Sequence, residues 1–454
     1  MRKYFGTDGV RGLANQFPMT ATFALRLGQA AARQFYTDGK KTHRIVIGKD
    51  TRISGYMFES ALVAGITSMG MDAVMVGVLP TPAIAFITRS LRADAGVVIS
   101  ASHNPYYDNG IKFFSGTGHK LPDQVELQIE QFTDQMIETG DVPLSADKVG
   151  KAYRIDTAIG RYVEFAKNTF DRDVDLVGLK IVVDCSNGAT YKVGPLALEE
   201  LGAKITVIGN QPNGTNINDK CGSVYPELMC EAVKEKKADI GIAFDGDGDR
   251  VIFSDGDGEV VDGDIIMGIC AKHMKELGLL NGDTMVSTVM SNLGFERSMN
   301  NAGIEVVRTE VGDRYVMAEM LKSGYNLGGE QSGHIIFSDY NTTGDGLVSA
   351  MQLLKVLVKS GKSLKDLKNM IELYPQTLKN YKVNKKIPLS ELPKTTAEIA
   401  SVEKVLGKSG RVFVRYSGTE NKIRVMLEGA DLKQIEEYAE NIGAVALKEI
   451  EELS

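Results

Sequence analysis

Three stretches of this 454-residue chain share one pattern: an apolar run, a polar loop, a helical stretch, a glycine and a second apolar run. RIVIGKDTRISG leads to MGMDAVMVG, KIVVDCSNGA leads to LGAKITVIG, and TMVSTVMSNLG leads to AGIEVVRTE. Short apolar runs rich in Val and Ile read as buried strands. A crossover of about a dozen residues is long enough to bring the second strand back parallel to the first. The pattern predicts three related α/β domains built on βαβ units in mixed sheets. The tail reads differently. Strands near NYKVNKKI, RVFVRY and KIRVMLEG surround a helical stretch, and a charged helix runs from about Leu432 to Leu453, which predicts a C-terminal α+β domain. At roughly 100 to 200 residues per domain the length fits four. Polar stretches place them at 1–150, 151–254, 255–372 and 373–454, arranged around a central cleft.

Composition narrows the partners. Lys plus Arg is 52 and Asp plus Glu is 59, so the net charge is −7 and there is no general attraction to nucleic acid or to an anionic membrane surface. An anionic ligand would need a local site of placed cations and backbone N–H groups. The four cysteines, Cys185, Cys221, Cys230 and Cys270, form no C-x-x-C pair, and histidine is scarce, so reduced thiols are expected rather than a disulfide framework or a zinc site. The N-terminus MRKYFGTDGV lacks the apolar segment of a signal peptide. The longest uncharged run, Ala73 to Thr88, is short and carries Pro80 and Pro82, so it does not read as a membrane span. A soluble cytoplasmic protein is expected.

The polar loops carry the chemistry. In ADIGIAFDGDGDR a strand runs into Asp245, Asp247 and Asp249, spaced by glycines. Three carboxylates so close repel one another, and a hard cation such as Mg²⁺ or Ca²⁺ would neutralise them. An EF-hand is excluded, since the sixth position from Asp245 is Arg250 and the twelfth is Gly256. The nearby SDGDGEVV reads as a hairpin turn between VIF and EVV. In SASHNPYYDNGIKFF, Ser102 stands at a strand exit beside His103, with Lys112 after a turn. The hydrolase elbow G-x-S-x-G is absent, because Ser100 and Asn104 flank Ser102. YFGTDGVRG offers Arg11, and GKDTRISG offers Lys49 and Arg52. GGEQSGH offers Glu330, Ser332 and His334, and RYSGTEN sets Arg415, Ser417 and Thr419 around Gly418, the make-up of a phosphate nest. SGKS at 360–363 is not a P-loop, because Val356 stands where the first glycine belongs.

SASHNP, DGDGDR, GEQSGH and RYSGTEN, in that order and spacing, resemble the α-D-phosphohexomutases, and the likeness covers essentially the whole chain. YFGTDGVRG, TEVGDRYV and Gln331 of GEQSGH are similar to the family's bacterial amino-sugar branch. The resemblance implies that Ser102 stores and transfers a phosphoryl group. It implies one Mg²⁺ per chain on Asp245, Asp247, Asp249 and an oxygen on Ser102. Glu330 and Ser332 match the loop that holds sugar hydroxyls, and Arg415, Ser417, Gly418 and Thr419 the loop that grips the non-reacting phosphate. Arg11, His103, Lys112 and Arg250 match basic positions around the reacting phosphate, with Lys112 or Arg11 assisting proton movement. Asn421 stands where the family usually has proline, which loosens that turn. The implied reaction is glucosamine 6-phosphate ⇌ glucosamine 1-phosphate through glucosamine 1,6-bisphosphate, in a homodimer whose only other partner is the small sugar phosphate. The rival readings are the same chemistry on glucose or mannose phosphates, a Mg²⁺-dependent sugar phosphatase, and a non-catalytic sugar-phosphate sensor.

Overall fold

In the computed structural model the described residues are 3–6, 8–37, 39–40, 42–140, 144–417 and 421–453. They form two compact units: residues 1–289 with 304–369, and residues 290–303 with 370–454.

The first unit holds three sheets. The first contains β1 (Val10–Leu13), β2 (Arg44–Lys49), β3 (Asp72–Val78), β4 (Ala95–Ile99), β5 (Asp108–Ser115) and β6 (Ala152–Arg154), in the order β1-β5-β4-β2-β3-β6. The second contains β7 (Lys180–Asp184), β8 (Lys204–Ile208), β9 (Ile240–Phe244), β10 (Val251–Asp255) and β11 (Val260–Val261), in the order β11-β10-β9-β7-β8. The third contains β12 (Thr284–Thr288), β13 (Glu305–Thr309), β14 (Leu327–Gly329) and β15 (Ile335–Phe337), in the order β13-β12-β14-β15.

One plan underlies all three. β2 lies parallel to β3 and β4, β7 to β8 and β9, and β12 to β13 and β14. Each third strand then turns back into an antiparallel neighbour, β4 into β5, β9 into β10 and β14 into β15. The three βαβ units read from sequence are the β2–β3, β7–β8 and β12–β13 crossovers. The fold class is as expected: three mixed α/β sheets with helices, followed by an antiparallel α+β unit. The strand interiors are buried on both faces, as in β4, where no residue of AGVVI is exposed, so the runs read as continuously apolar rather than alternating. In the first layer, Gly28 and Gly65 let the helices Ala21–Phe35 and Gly55–Ser68 touch through backbone: a Cβ on Gly65 would sit 2.2 Å from the Leu25 carbonyl oxygen.

Two sheets run past the divisions expected at 150 and 254. β6 pairs with β3 as an edge strand, and β11 closes a hairpin on β10. All three residues of β6 are exposed, so the strand leaves no apolar signal in sequence.

The second unit is a three-stranded antiparallel sheet of β16 (Gln376–Lys382), β17 (Gly410–Tyr416) and β18 (Lys422–Gly429), in the order β16-β18-β17. Val425 and Leu427 pack with Ile435, Ala439 and Ile442 of the long helix Leu432–Glu452. Buried Glu449 on that helix accepts from the Lys394 and Thr395 amides, both at 2.8 Å, and so satisfies the start of the helix Pro393–Leu406. The helix Leu293–Asn301, expected with the third α/β region, belongs to this unit, where Glu428 accepts from the Leu293 amide at 2.9 Å.

Candidate active site

The three polar loops occupy equivalent places in the repeated plan. Residues 100–107 join β4 to β5, residues 245–250 join β9 to β10, and residues 330–334 join β14 to β15. Each leaves the carboxyl end of a parallel strand, where α/β sheets present ligand-binding groups.

Ser102 is 2% exposed and sits at φ 52°, a left-handed conformation that costs a non-glycine residue about 1–3 kcal/mol unless its surroundings hold it. Its Oγ donates to Asp245 Oδ2 at 2.7 Å and lies 3.4 Å from His103 Nδ1. Burial, with Arg250 and Arg11 nearby, pushes the His103 imidazole down to about 4, so the ring is neutral at neutral pH.

Asp245, Asp247 and Asp249 are 0%, 1% and 6% exposed, and each places a carboxylate oxygen within 4.8 Å of the other two. Oδ1 of Asp247 and Oδ1 of Asp249 are buried without a hydrogen-bond partner. Burial and the charges of Asp249 and Asp247 raise the Asp245 carboxyl well above the usual range. Burial opposes ionisation of Asp249 too, but His334, Lys112 and Arg250 outweigh it and hold that carboxyl low. At Asp245 burial and the two neighbouring carboxylates outweigh Arg250, so the shift runs the other way. Buried, unpartnered oxygen donors that repel one another are the donor set of a hard divalent cation, so the residues fit Mg²⁺.

The cations around the triplet are joined by carboxylates that the sequence did not single out. Lys112 Nζ lies 2.9 Å from Asp247 Oδ2 and 2.9 Å from Asp8 Oδ2. Burial disfavours its charge, but these two carboxylates raise its pKa and keep it an ammonium. Asp8 also pairs with Arg11 and, at 2.6 Å, with Lys120. Lys120 reaches Asp313 at 2.5 Å, Asp313 lies 3.5 Å from His334 Nε2, and His334 Nδ1 lies 3.5 Å from Asp249. Two arms, through Lys112 and through Lys120 and His334, thus run from Asp8 back to the triplet. His334, expected to face the ligand, is 2% exposed and turned to Asp249 and Asp313. Arg250 donates its amide to Asp245 Oδ1 at 3.1 Å, and its buried Nε has no hydrogen-bond partner. Asp8, Lys120 and Asp313 stand in or beside quoted motifs, yet their pairing spans more than 100 residues, which no local pattern reveals.

Glu330 is half-buried and accepts from the Gly312 amide at 3.1 Å, and Ser332 is exposed. Gly333, at φ +89°, hydrogen-bonds β10 through the Val251 amide at 3.1 Å, and a Cβ there would meet the Val251 carbonyl oxygen at 2.2 Å. The close approach fixes the Glu330 loop directly behind the Asp loop. Lys49 and Arg52 do not serve as surface cations: Lys49 pairs with Glu59 at 2.5 Å, and Arg52 is fully buried. In the second unit, Arg415 on β17 stands opposite Arg424 on β18, and burial together with Arg424 lowers its pKa. Ser417 is 4% exposed and its carbonyl accepts from Lys386 at 2.7 Å. Gly418 and Thr419 lie outside the described residues.

Four family models match in order. They are phosphoglucomutase/phosphomannomutase alpha/beta/alpha domains I (2–139), II (160–258) and III (262–374), and the C-terminal domain (378–445). The chain belongs to the phosphoglucomutase/phosphomannomutase family, and it is accordingly an isomerase of the mutase type. Within the family it is 57% identical over 446 residues to the phosphoglucosamine mutase of Syntrophotalea carbinolica, covering 98% of this chain and 97% of that one. It is 56% identical over 451 residues to the phosphoglucosamine mutase of Citrifermentans bemidjiense, covering 99% of each. Among solved structures, a phosphoglucomutase/phosphomannomutase family protein from Burkholderia thailandensis shares the fold at a TM-score of 0.79 and 24% identity, over 98% of this chain and 97% of that one. So does Aspergillus fumigatus N-acetylphosphoglucosamine mutase, solved with GlcNAc-6P and magnesium, at 0.64 and 18% over 94% and 99%.

Proposed function

We propose that the chain interconverts glucosamine 6-phosphate and glucosamine 1-phosphate by way of a phosphoryl group carried on Ser102. The observation that carries the reading is the buried Ser102 hydroxyl, 2.7 Å from Asp245 at the edge of the acidic triplet. Identity of 54–57% to curated phosphoglucosamine mutases over nearly the full length supports the substrate.

Phosphoryl transfer depends on in-line positioning and charge neutralisation more than on covalent help. Ser102 gives its phosphoryl group to the free sugar hydroxyl: its O–P bond breaks, a sugar O–P bond forms, and the hydroxyl proton leaves to a nearby base. The product, glucosamine 1,6-bisphosphate, turns over, and Ser102 Oγ takes the other phosphoryl group, so nothing is consumed. Asp245, Asp247 and Asp249, with an oxygen on Ser102, would hold one Mg²⁺ per chain. That ion, when bound, supplies charge neutralisation at the transferring group. Lys112, held as an ammonium, or Arg11 beside it, assists proton movement by stabilising the oxygen that loses the proton rather than by accepting it, and Arg250 and neutral His103 face the reacting phosphate. Glu330 and Ser332 accept and donate hydrogen bonds to sugar hydroxyls, with His334 braced behind them. Arg415, Ser417, Gly418 and Thr419 grip the non-reacting phosphate, and the Arg415–Arg424 pair of like charges is the arrangement an anion relieves. A homodimer acting in the cytoplasm completes the reading, with the domain divisions drawn after β6 and β11.

The test is kcat/KM on glucosamine 6-phosphate against glucose 6-phosphate and mannose 6-phosphate, with Mg²⁺ and a bisphosphate activator. A site that hydrogen-bonds the amine discriminates by about 10⁴-fold or more. Equal rates would reduce the substrate to a hexose phosphate, and free phosphate released at the turnover rate would replace the mutase with a phosphatase. Ser102→Ala abolishes turnover, and activity near wild type in that variant would remove the nucleophile. Arg415→Ala mainly raises KM, because it removes binding to a phosphate that does not react.

A further inference from the structure

Resting on the reading of Ser102 as the phosphoryl carrier, we propose that Arg52 is the positioning residue of that serine. The buried Arg52–Asp50 pair holds the Ser102 backbone in its left-handed conformation and so sets the direction of Oγ.

Every donor of the Arg52 guanidinium is used. Nη2 donates to the Ser102 carbonyl at 2.9 Å and to the Asn104 carbonyl at 2.8 Å. Nη1 donates to the Asp108 carbonyl at 3.2 Å and to the Pro105 carbonyl. Nε donates to Asp50 Oδ2 at 2.8 Å. The other side of Ser102 leads to the same pair: its amide donates to Ser100 Oγ at 3.0 Å, and Ser100 Oγ donates to Asp50 Oδ2 at 2.6 Å. Asn218 adds a second donor to the Ser102 carbonyl at 2.9 Å. Both peptide groups of a strained serine therefore end on one ion pair whose members are 0% exposed in their side chains.

This arrangement has physical consequences. A planar fork with five N–H groups can hold four carbonyls and a carboxylate at once, and an ammonium with three cannot. The loop has no other described side-chain donors to these carbonyls than Arg52 and Asn218. If the clamp loosens, Ser102 can relax from φ 52° toward the common negative values, which swings Oγ away from Asp245. Every hydrogen bond of the Arg52 guanidinium goes to Asp50 or to a carbonyl of the serine loop, so its effect is expected on the chemical step.

The experiment compares Arg52→Lys, Ser100→Ala and, as a purely structural reference, Tyr162→Phe, which removes a buried hydrogen bond to Asp345. Arg52→Lys keeps the charge beside Asp50. It is expected to lower kcat about 100-fold with KM within about twofold, since a displacement near 1 Å of a reacting group costs that much. Ser100→Ala cuts only the amide side and is expected to lower kcat about tenfold. Single-turnover transfer from phospho-Ser102 to glucosamine 6-phosphate falls with kcat, while the Kd for glucose 1,6-bisphosphate is unchanged. Tyr162→Phe lowers Tm and leaves kcat per phosphorylated serine unchanged. Wild-type kcat in folded Arg52→Lys and Ser100→Ala overturns the proposal. So does a loss of kcat that comes with an equal loss of bisphosphate affinity, since that marks general disruption of the site rather than misdirection of Ser102. If instead Ser102→Ala keeps activity, the phosphoryl-carrier reading fails, and that result is independent of the Arg52 variants.

Discussion

The chain contains D-G-D-G twice within fourteen residues, and the two copies do different things. At 245–248 it leaves β9, and at 255–258 it turns β10 into β11. In the second copy Asp255 Oδ1 accepts from the amides of Asp257 and Glu259 at 3.1 and 3.0 Å, and Lys368 lies 3.3 Å from Oδ2. Asp257 points to solvent and pairs with Lys365 at 2.7 Å. Each carboxylate has its own partner. In the first copy the carboxylates converge on one another, and two of their oxygens are buried without any partner. A turn motif acquires the donor set of a cation site when burial removes water and a third carboxylate removes the chance of local pairing.

The sharpest way to break this comparison is to remove one carboxylate from each copy. Asp247→Asn deletes a proposed metal ligand and the partner of Lys112, and is expected to cost about 100-fold or more in kcat/KM and to move the Mg²⁺ titration midpoint upward. Asp257→Asn removes only an exposed ion pair, and kcat/KM and the Mg²⁺ midpoint stay at wild type. A Mg²⁺ titration unchanged by Asp247→Asn would refute the site.

The glycines sharpen it next. A Cβ on Gly246 would meet Asn218 Nδ2 at 2.6 Å and the Ser102 carbonyl oxygen at 2.7 Å, whereas a Cβ on Gly256 meets nothing nearer than 3.3 Å. Gly246→Ala must push the Asp loop off the serine loop, and is expected to lower stability by about 1–3 kcal/mol with a matching loss of activity. Gly256→Ala stays within about 0.5 kcal/mol. Chemical denaturation and kcat on the two variants decide it. A tolerated Gly246→Ala would mean the two loops are not interlocked.

The three repeated units, the four-stage organisation, the triplet and the hairpin all follow from local pattern, because apolar runs and D-G spacing are local features. β9 could be told from β10 because only the first D-G-D-G leaves a buried parallel strand. Asp8, Lys120 and Asp313 could not be read that way, since a buried carboxylate is recognisable only once the lysine facing it is in place. The same holds for Arg52, which in GKDTRISG looks like a surface cation and proves to be 0% exposed. β6 escapes for a different reason: it is a short edge strand whose three residues are all exposed, so it carries no apolar run.

The smallest expected effect is on the pH dependence of stability, and it has opposite sign in the two copies. In chelated protein the folded-state pKa of Asp245 is raised by burial and by Asp249 and Asp247 above its ordinary 3.8. The folded state then holds a proton that the unfolded state has released, so the contribution is fully present below about pH 3.8 and is lost as pH rises toward the folded value. Asp257 is lowered, chiefly by its hydrogen bond to Lys365, so its contribution is present above about pH 3.8 and is lost on acidification. Being exposed, it is screened to near nothing. Thermal unfolding from pH 4 to pH 7 is expected to show Tm of the chelated wild type lagging behind that of Asp245→Asn as pH rises. If the proposed site holds Mg²⁺, saturating Mg²⁺ closes the gap for the wild type alone, since only the folded state with all three carboxylates offers the full donor set. Asp257→Asn follows the wild type throughout. Equal slopes for the chelated wild type and Asp245→Asn would mean the three carboxylates do not repel one another as their geometry requires.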